Sequence, residues 1–156
     1  MIFLGIDPGT TTIGFALVEK ENTKIRVIEY GVIETPPRIS LTDKLLLIHR
    51  DLQELIETYR PTVAGIEKLF FLRNITNGID VAQARGVIIH SLASQGVQIQ
   101  EFTPLQVKRA ITGNGRAQKK QMQQAIKMIL SLREVPKPDD AADALAIAYM
   151  TALQYR

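Results

Sequence analysis

The sequence predicts an α/β fold in which a five-stranded mixed sheet is flanked by helices. Three apolar runs, at residues 2–7, 13–19 and 25–34, are separated by short turns containing Gly, Thr or Asn, which is typical of an antiparallel meander. Two shorter strand-like runs, at residues 62–67 and 97–102, each follow a helical stretch. Because a strand that returns to the sheet through a helix lies parallel to its neighbour, we expect three antiparallel strands followed by parallel ones.

The first helix is predicted between a start signal and a stop signal. Ser40 and Asp43 form a variant of the capping box, with Asp in place of the usual Glu. Apolar side chains then recur at helical spacing as far as Tyr59, and Pro61 ends the helix. The strand at residues 62–67 follows at once, so we expect it beside the first strand and parallel to it.

Four further helices are expected in the second half of the chain. One spans about residues 79–95 and ends at Gly96. Three more follow the last strand, at about residues 104–111, 117–132 and 139–154. The last of these carries a packing stripe made of Leu145, Ala148, Tyr149 and Ala152.

Composition indicates a globular protein with one domain. The chain has 156 residues, of which 46% are hydrophobic and 22% charged, and we expect a single domain over residues 1–156. No apolar run approaches the roughly 18 residues that cross a bilayer, and the N-terminus has no basic-then-apolar signal segment. The absence of cysteine excludes disulfides and thiolate metal sites. A cytoplasmic location is expected.

Positive charge is concentrated in one stretch of the chain. The totals, 19 Lys and Arg against 16 Asp and Glu with a net charge of +3, are too mild to indicate nucleic-acid binding. The stretch from 108 to 120 contains no acid and carries Lys108, Arg109, Arg116, Lys119 and Lys120. Such a stretch is either a phosphate-contacting surface or a solvated helix face, and charge alone does not separate the two.

Two predicted strands end in a carboxylate. Asp7 follows the first apolar run and precedes Pro8 and Gly9, so in isolation it would be interpreted as a turn cap. Glu67 follows the fourth strand in the same way. The ends of adjacent parallel strands meet at one edge of the sheet, where open α/β sheets carry their sites. Two carboxylates there repel each other unless a cation lies between them, which favours a metal site.

A third group of acids opens the last helix. Asp139 and Asp140 fall in its first turn, and either can share a helix face with Asp143. The helix dipole explains one or two first-turn acids, but not readily a third. Oxygen ligands of this kind suit Mg²⁺ or Mn²⁺, and two such ions about 4 Å apart can hold a phosphodiester for attack by water. His49 and His90 lie in predicted helices and are interpreted as structural or surface residues.

Four motifs, GIDPGT, IEKLFF, AQARGV and DDAADALAIA, resemble in order and spacing the RuvC family of bacterial Holliday junction resolvases. The resemblance covers nearly the whole chain. It implies an RNase H-like fold and a homodimer that cuts two opposing strands of a four-way DNA junction in recombination and repair. It also implies a Mg²⁺ site, in which Mn²⁺ can substitute, whose ligands and catalytic residues are Asp7, Glu67, Asp140 and Asp143. The resemblance thus selects Asp140 over Asp139.

The resemblance further implies contacts with DNA and with other proteins. The DNA-binding positions carried over are Phe70, Arg73, Arg85, Lys108 and Lys119. Phe70 would stack on or wedge junction bases, and the alternative from the sequence is a core position beside Leu69 and Phe71. The QARG segment resembles the dimer helix of the family, and the branch-migration complex RuvA–RuvB is the expected partner.

Three other functions remain possible from the residues alone. DPGTTTIG resembles the phosphate-binding hairpin of ATP-binding kinases and actin-like proteins, but those proteins need a second domain. A junction-binding module without catalysis would have no reason to keep all four acids. A YqgF-type nuclease acting on RNA shares the fold, and the basic Gly-containing loop and DDAADALAIA favour RuvC over it.

Overall fold

The computed structural model describes residues 1–69 and 75–155 and contains the predicted sheet. The strands are β1 (Ile2–Asp7), β2 (Thr12–Glu21), β3 (Lys24–Glu34), β4 (Val63–Glu67) and β5 (Gln98–Phe102). They are ordered β3-β2-β1-β4-β5. The first three strands pair antiparallel, whereas β4 lies parallel to both β1 and β5. The predicted fold class is confirmed.

Helices cover both faces of the sheet. They are α1 (Leu41–Tyr59), α2 (Ile75–Ser94), α3 (Pro104–Thr112), α4 (Lys119–Ile129) and α5 (Asp139–Gln154). Side chains alternate across the sheet, so Leu4 on β1 packs with α1 and α2 while its neighbour Phe3 packs with α5. Both side chains are fully buried. Helix α5 lies against the centre of one face, in contact with β1 and β2, and it carries the predicted C-terminal acids.

The predicted helix boundaries differ most from the observed ones at the start of α2 and at the end of α4. Helix α2 begins at Ile75, four residues before the predicted start at 79. Its first turn contains polar residues and a glycine, whose weak helix propensity gave no signal in the sequence. Helix α4 ends at Ile129 and not at 132. The reason is Ser131, whose φ of 52° is left-handed and stops the helix.

The start of α1 and the role of His49 agree with prediction. The Ser40 side chain accepts a hydrogen bond from the Asp43 amide at 3.1 Å. His49 Nδ1 lies 2.7 Å from Ser91 Oγ, which links α1 to α2. Among the residues that the structure describes, none of the helices combines the length and apolarity needed to cross a membrane.

Candidate active site

Asp7 and Glu67 meet at one edge of the sheet, as predicted. The parallel register pairs Ile6 with Ile66, so each acid is the next residue on adjacent strands. Asp7 is also paired with Gly14 across the antiparallel ladder. Both carboxylates are partly buried. Two apolar strands therefore deliver two acids to the same point, each held by the sheet backbone.

Three glycines on neighbouring strands let the backbone of α5 approach the sheet closely. A Cβ atom on Gly14 would lie 2.0 Å from the carbonyl oxygen of Asp140, and one on Gly5 would lie 2.1 Å from that of Ala144. Gly65 on β4 meets the same helix further along, where a Cβ would lie 2.0 Å from a threonine hydroxyl oxygen. No side chain fits at these positions. The glycines thus fix the height and direction of α5, and with them the positions of its acids.

The four acids selected by resemblance lie close enough to perturb one another. Burial raises the pKa of Asp7 to about 8, and the negative charges of Asp143, Glu67 and Asp140 add to this rise. Burial likewise raises the pKa of Glu67, with Asp143 contributing and Lys108 opposing. Burial also raises the pKa of Asp143. The group therefore holds more negative charge than its surroundings stabilise, and a bound cation would relieve this repulsion.

The donor set fits a hard divalent cation. Its carboxylate oxygens are the ligands that Mg²⁺ and Mn²⁺ prefer, and cysteine is absent from the chain. Within the described ranges, however, no three acidic or histidine side chains are already gathered around one point that an ion could occupy.

A cleft beside the acids brings together both signs of charge. It has a volume of about 270 Å³ and is lined by Glu67 and Asp143 together with Lys108 of α3 and Lys119 of α4. Its other lining residues are apolar: Pro104, Val107, Met122, Ala146 and Ile147. The predicted basic residues at 108 and 119 thus share a cleft with two of the acids.

Asp139 and Asp140 differ in their surroundings. The Asp139 carboxylate is exposed and lies 2.9 Å from the Lys119 ammonium, with side chains 59% and 54% exposed. Gln123 Nε2 donates a hydrogen bond of 2.8 Å to its other oxygen. The hydrogen bond from Lys119, and to a smaller extent the one from Gln123, hold the pKa of Asp139 below its usual range. Asp140 instead contributes negative charge to the environment of Asp7. The sequence did not reveal that Asp139 links α5 to α4.

Of the other predicted DNA-binding residues, the structure describes only Arg85. Phe70 and Arg73 lie outside the described residues. Arg85 on α2 donates a hydrogen bond from Nε to the Glu67 carbonyl oxygen at 3.2 Å and forms an ion pair with Glu101. Sequence reasoning left Glu101 without a role, although its position near the end of β5, paired with Ile66 one residue before Glu67, was a usable signal.

The family model for crossover junction endodeoxyribonuclease RuvC matches residues 3–151. The chain belongs to the RuvC family. Two relatives of the same name are matched over nearly their whole length. The RuvC of Halothermothrix orenii is 48% identical over 156 residues, covering 100% of this chain and 94% of the relative. The RuvC of Brevibacillus brevis is 49% identical, covering 100% and 93%.

A solved RuvC structure matches the fold closely. Thermus thermophilus RuvC in complex with Holliday junction substrate gives a TM-score of 0.89 at 34% identity, covering 95% of this chain and 90% of that one. The predicted membership and the RNase H-like fold of the RuvC family are confirmed. Membership decides against the ATP-binding and YqgF-type alternatives.

The raised pKa of Asp7 predicts an unusual pH dependence of stability when no metal is bound. Its pKa is about 8 in the folded chain against 3.8 for an ordinary Asp, so the folded state binds this proton more tightly. The resulting stability is fully present below about pH 4 and is lost progressively as the pH rises through 8. We expect unfolding by urea in EDTA to become easier from pH 5 to pH 8.

Two variants bracket this test. Asp7→Asn should flatten much of the slope, because the asparagine has no proton to lose. Asp51→Asn, on the remote surface of α1, should leave the slope unchanged. Wild-type stability that is level or rises between pH 5 and pH 8 would refute the expected repulsion.

Proposed function

We propose that this RuvC-family protein resolves four-way DNA junctions by cutting two opposing strands, and that residues 1–156 act as a single nuclease domain. The observation that carries the proposal is the meeting of four carboxylates at one sheet edge in a chain of this family. The likeness to a RuvC structure described as a complex with Holliday junction substrate supports the choice of DNA substrate.

The metal site of this proposal consists of Asp7, Glu67, Asp140 and Asp143. We expect it to hold Mg²⁺, with Mn²⁺ as a substitute and two ions per site. Such ions activate water and stabilise the leaving oxygen of a phosphodiester. The carboxylates themselves must be ionised to bind cations, so binding at neutral pH displaces the proton that the raised pKa of Asp7 retains.

The basic side chains orient the DNA strand at this edge. Lys108 and Lys119 line the same cleft as Glu67 and Asp143, and their positive charges act on these acids. Lys119 is paired with Asp139 in the free protein, so contact with a phosphate exchanges one anionic partner for another. The roles of Phe70 as a base-stacking wedge and of Arg73 as a DNA-binding residue stay predictions.

Paired cuts require a second active site, and we propose a homodimer built on α2. A four-way junction has two-fold symmetry, which a C₂ dimer matches. Between α1 and α2 lies an apolar groove of about 590 Å³, lined by Thr42, Leu45, Leu46, His49, Gln83, Gly86, Val87 and His90. Leu46 is 64% exposed in the single chain. We further propose a cytoplasmic location and cooperation with RuvA–RuvB, both on family grounds.

Gly86→Arg should convert the dimer to a monomer. Gly86 is exposed on α2 and a Cβ there would meet nothing within 4 Å, so the arginine leaves the fold intact but fills the groove. Sedimentation should show the change in mass, and paired cuts should become uncoordinated single nicks. Leu153→Arg, at an exposed position outside the groove, serves as the control. A wild-type monomer that still makes paired cuts would contradict the proposal.

A substrate panel tests the proposed activity. The protein is incubated with Mg²⁺ and, separately, a labelled four-way junction, a linear duplex of the same sequence, an RNA–DNA hybrid and ATP. Only the junction should be cut, and EDTA should stop the reaction. Binding of the junction without any cut would indicate a silent binding module, whereas preferential cutting of the hybrid would indicate a different nuclease.

A further inference from the structure

Arg85 is held in two contacts that leave little of it exposed. Its side chain is 17% exposed and donates from Nε to the carbonyl oxygen of Glu67 at 3.2 Å. Another nitrogen of the same guanidinium pairs with the Glu101 carboxylate. The planar guanidinium can make both contacts at once, which a lysine ammonium does with poorer geometry. Arg85 thus joins α2 to the ends of β4 and β5.

These contacts act on the backbone of a proposed site residue. Glu67 is the last residue of β4, where the ladder of strand hydrogen bonds ends. The next amide, that of Lys68, donates to the Phe102 carbonyl oxygen at 2.7 Å. The Glu67 carbonyl oxygen accepts a hydrogen bond from Arg85 Nε on α2. The exit of β4 is therefore held by β5 on one side and by α2 on the other.

The charge of Arg85 is also compensated within the chain. Glu101 is 44% exposed, so its carboxylate could be solvated by water alone, yet it lies against the guanidinium. A phosphate would have to displace both Glu101 and the Glu67 carbonyl to reach Arg85. Contact with DNA would then loosen the strand end that carries Glu67. The two roles, DNA contact and support of the site, oppose each other at this residue.

We propose that Arg85 is a positioning residue for Glu67, with Glu101 orienting its guanidinium, and that Arg85 does not contact DNA. The inference rests on the proposed function insofar as Glu67 belongs to the active site. The hydrogen bond to the Glu67 carbonyl fixes the backbone from which the carboxylate extends towards Asp143 and the cleft. Without this bond the chain still has the Glu67 carboxylate, but the backbone that carries it is less firmly held. The carboxylate then occupies a wider range of positions.

The kinetic test separates positioning from DNA binding. Arg85→Ala should slow single-turnover cleavage by about 10- to 100-fold, as expected for the loss of a supporting partner. Junction affinity in EDTA and its salt dependence should stay at the wild-type values. A phosphate contact would instead lower the affinity and reduce the salt slope by about 0.9. Arg85→Lys should recover part of the rate, and Arg50→Ala, which removes an exposed positive charge on α1, should leave the rate unchanged.

Two further measurements keep the proposal testable if Arg85→Ala folds poorly or the wild type does not cut. Glu101→Gln alters an exposed side chain, and should slow cleavage in the same direction by a few-fold with unchanged affinity. Amide hydrogen exchange at Lys68 should accelerate about tenfold or more in Arg85→Ala, while the Lys20 amide, bonded to the Met1 carbonyl elsewhere in the sheet, should not change. Failure of the wild type to cut would overturn only the proposed function. Unchanged exchange at Lys68, or a loss of affinity and salt slope in Arg85→Ala, would overturn the role of Arg85.

Discussion

Replacing Asp140 with asparagine is expected to abolish Mg²⁺-dependent junction cleavage, with a loss of at least about 100-fold, since even supporting partners of metal ligands are worth 10- to 100-fold. Asparagine keeps the size and one acceptor oxygen of Asp140 but removes the charge that holds a hard cation. Junction binding in EDTA should persist or tighten, because repulsion between the site and the DNA phosphates falls. Cleavage and binding are measured separately, the first under single-turnover conditions.

Asp139→Asn is the matched control for this prediction. The two acids are adjacent, but Asp139 is exposed and bound to Lys119 and Gln123, whereas Asp140 is hydrogen-bonded with Asp7 and raises the pKa of Asp7. We expect most of the cleavage to remain, and junction affinity to rise slightly because Lys119 is released for phosphate. If both variants fold and lose cleavage equally, then the resemblance to the RuvC family does not identify which of the two acids is the metal ligand.

Gly5→Ala is expected to cause a large loss of stability, because its added methyl group has no room against α5. The new Cβ would lie 2.1 Å from the Ala144 carbonyl oxygen and 2.4 Å from the Ala148 amide nitrogen, both backbone atoms of α5. Either the helix or β1 must move, and overpacking of this kind costs about 3 kcal/mol. The melting temperature should fall by roughly 6–12 °C. Cleavage should fall as well, because Asp140 and Asp143 move with the helix.

The same chemical change on an open helix surface provides the control. Gly86→Ala meets nothing within 4 Å and lies within α2, so it should leave stability unchanged or raise it by up to about 1 kcal/mol. Thermal unfolding at one fixed protein concentration compares the two variants. A Gly5→Ala protein that melts with the wild type would show that α5 is not seated on the glycines.

The fold and the strand-end acids could be predicted because they depend on local pattern. Apolar runs that stop at Asp7 and Glu67, with a helix crossover between them, place both acids at one edge by the rules of parallel pairing. Helical spacing could not distinguish Asp139 from Asp140, since both pair equally well with Asp143. Only the seating of α5 over Gly14, and the position of α4, separate their surroundings.

The parts that could not be predicted depend on contacts between distant segments. Gly5, Gly14 and Gly65 read as ordinary strand glycines until the helix that crosses them is known. Arg85 and Glu101 are far apart in the chain, and neither the charge nor the spacing of either residue indicates that they meet. The early start of α2 was missed because helix propensity at its first residues is weak.

The most direct test of the four-acid site is strand-resolved cleavage of a four-way junction in which each strand carries its own label. The wild-type protein in Mg²⁺ should cut two opposing strands at symmetric positions, EDTA should stop both cuts, and Asp140→Asn should bind the junction without cutting it. Cleavage that survives in EDTA or in Asp140→Asn, or that falls on adjacent strands, would contradict the assignment of these carboxylates as a paired, metal-dependent resolvase site.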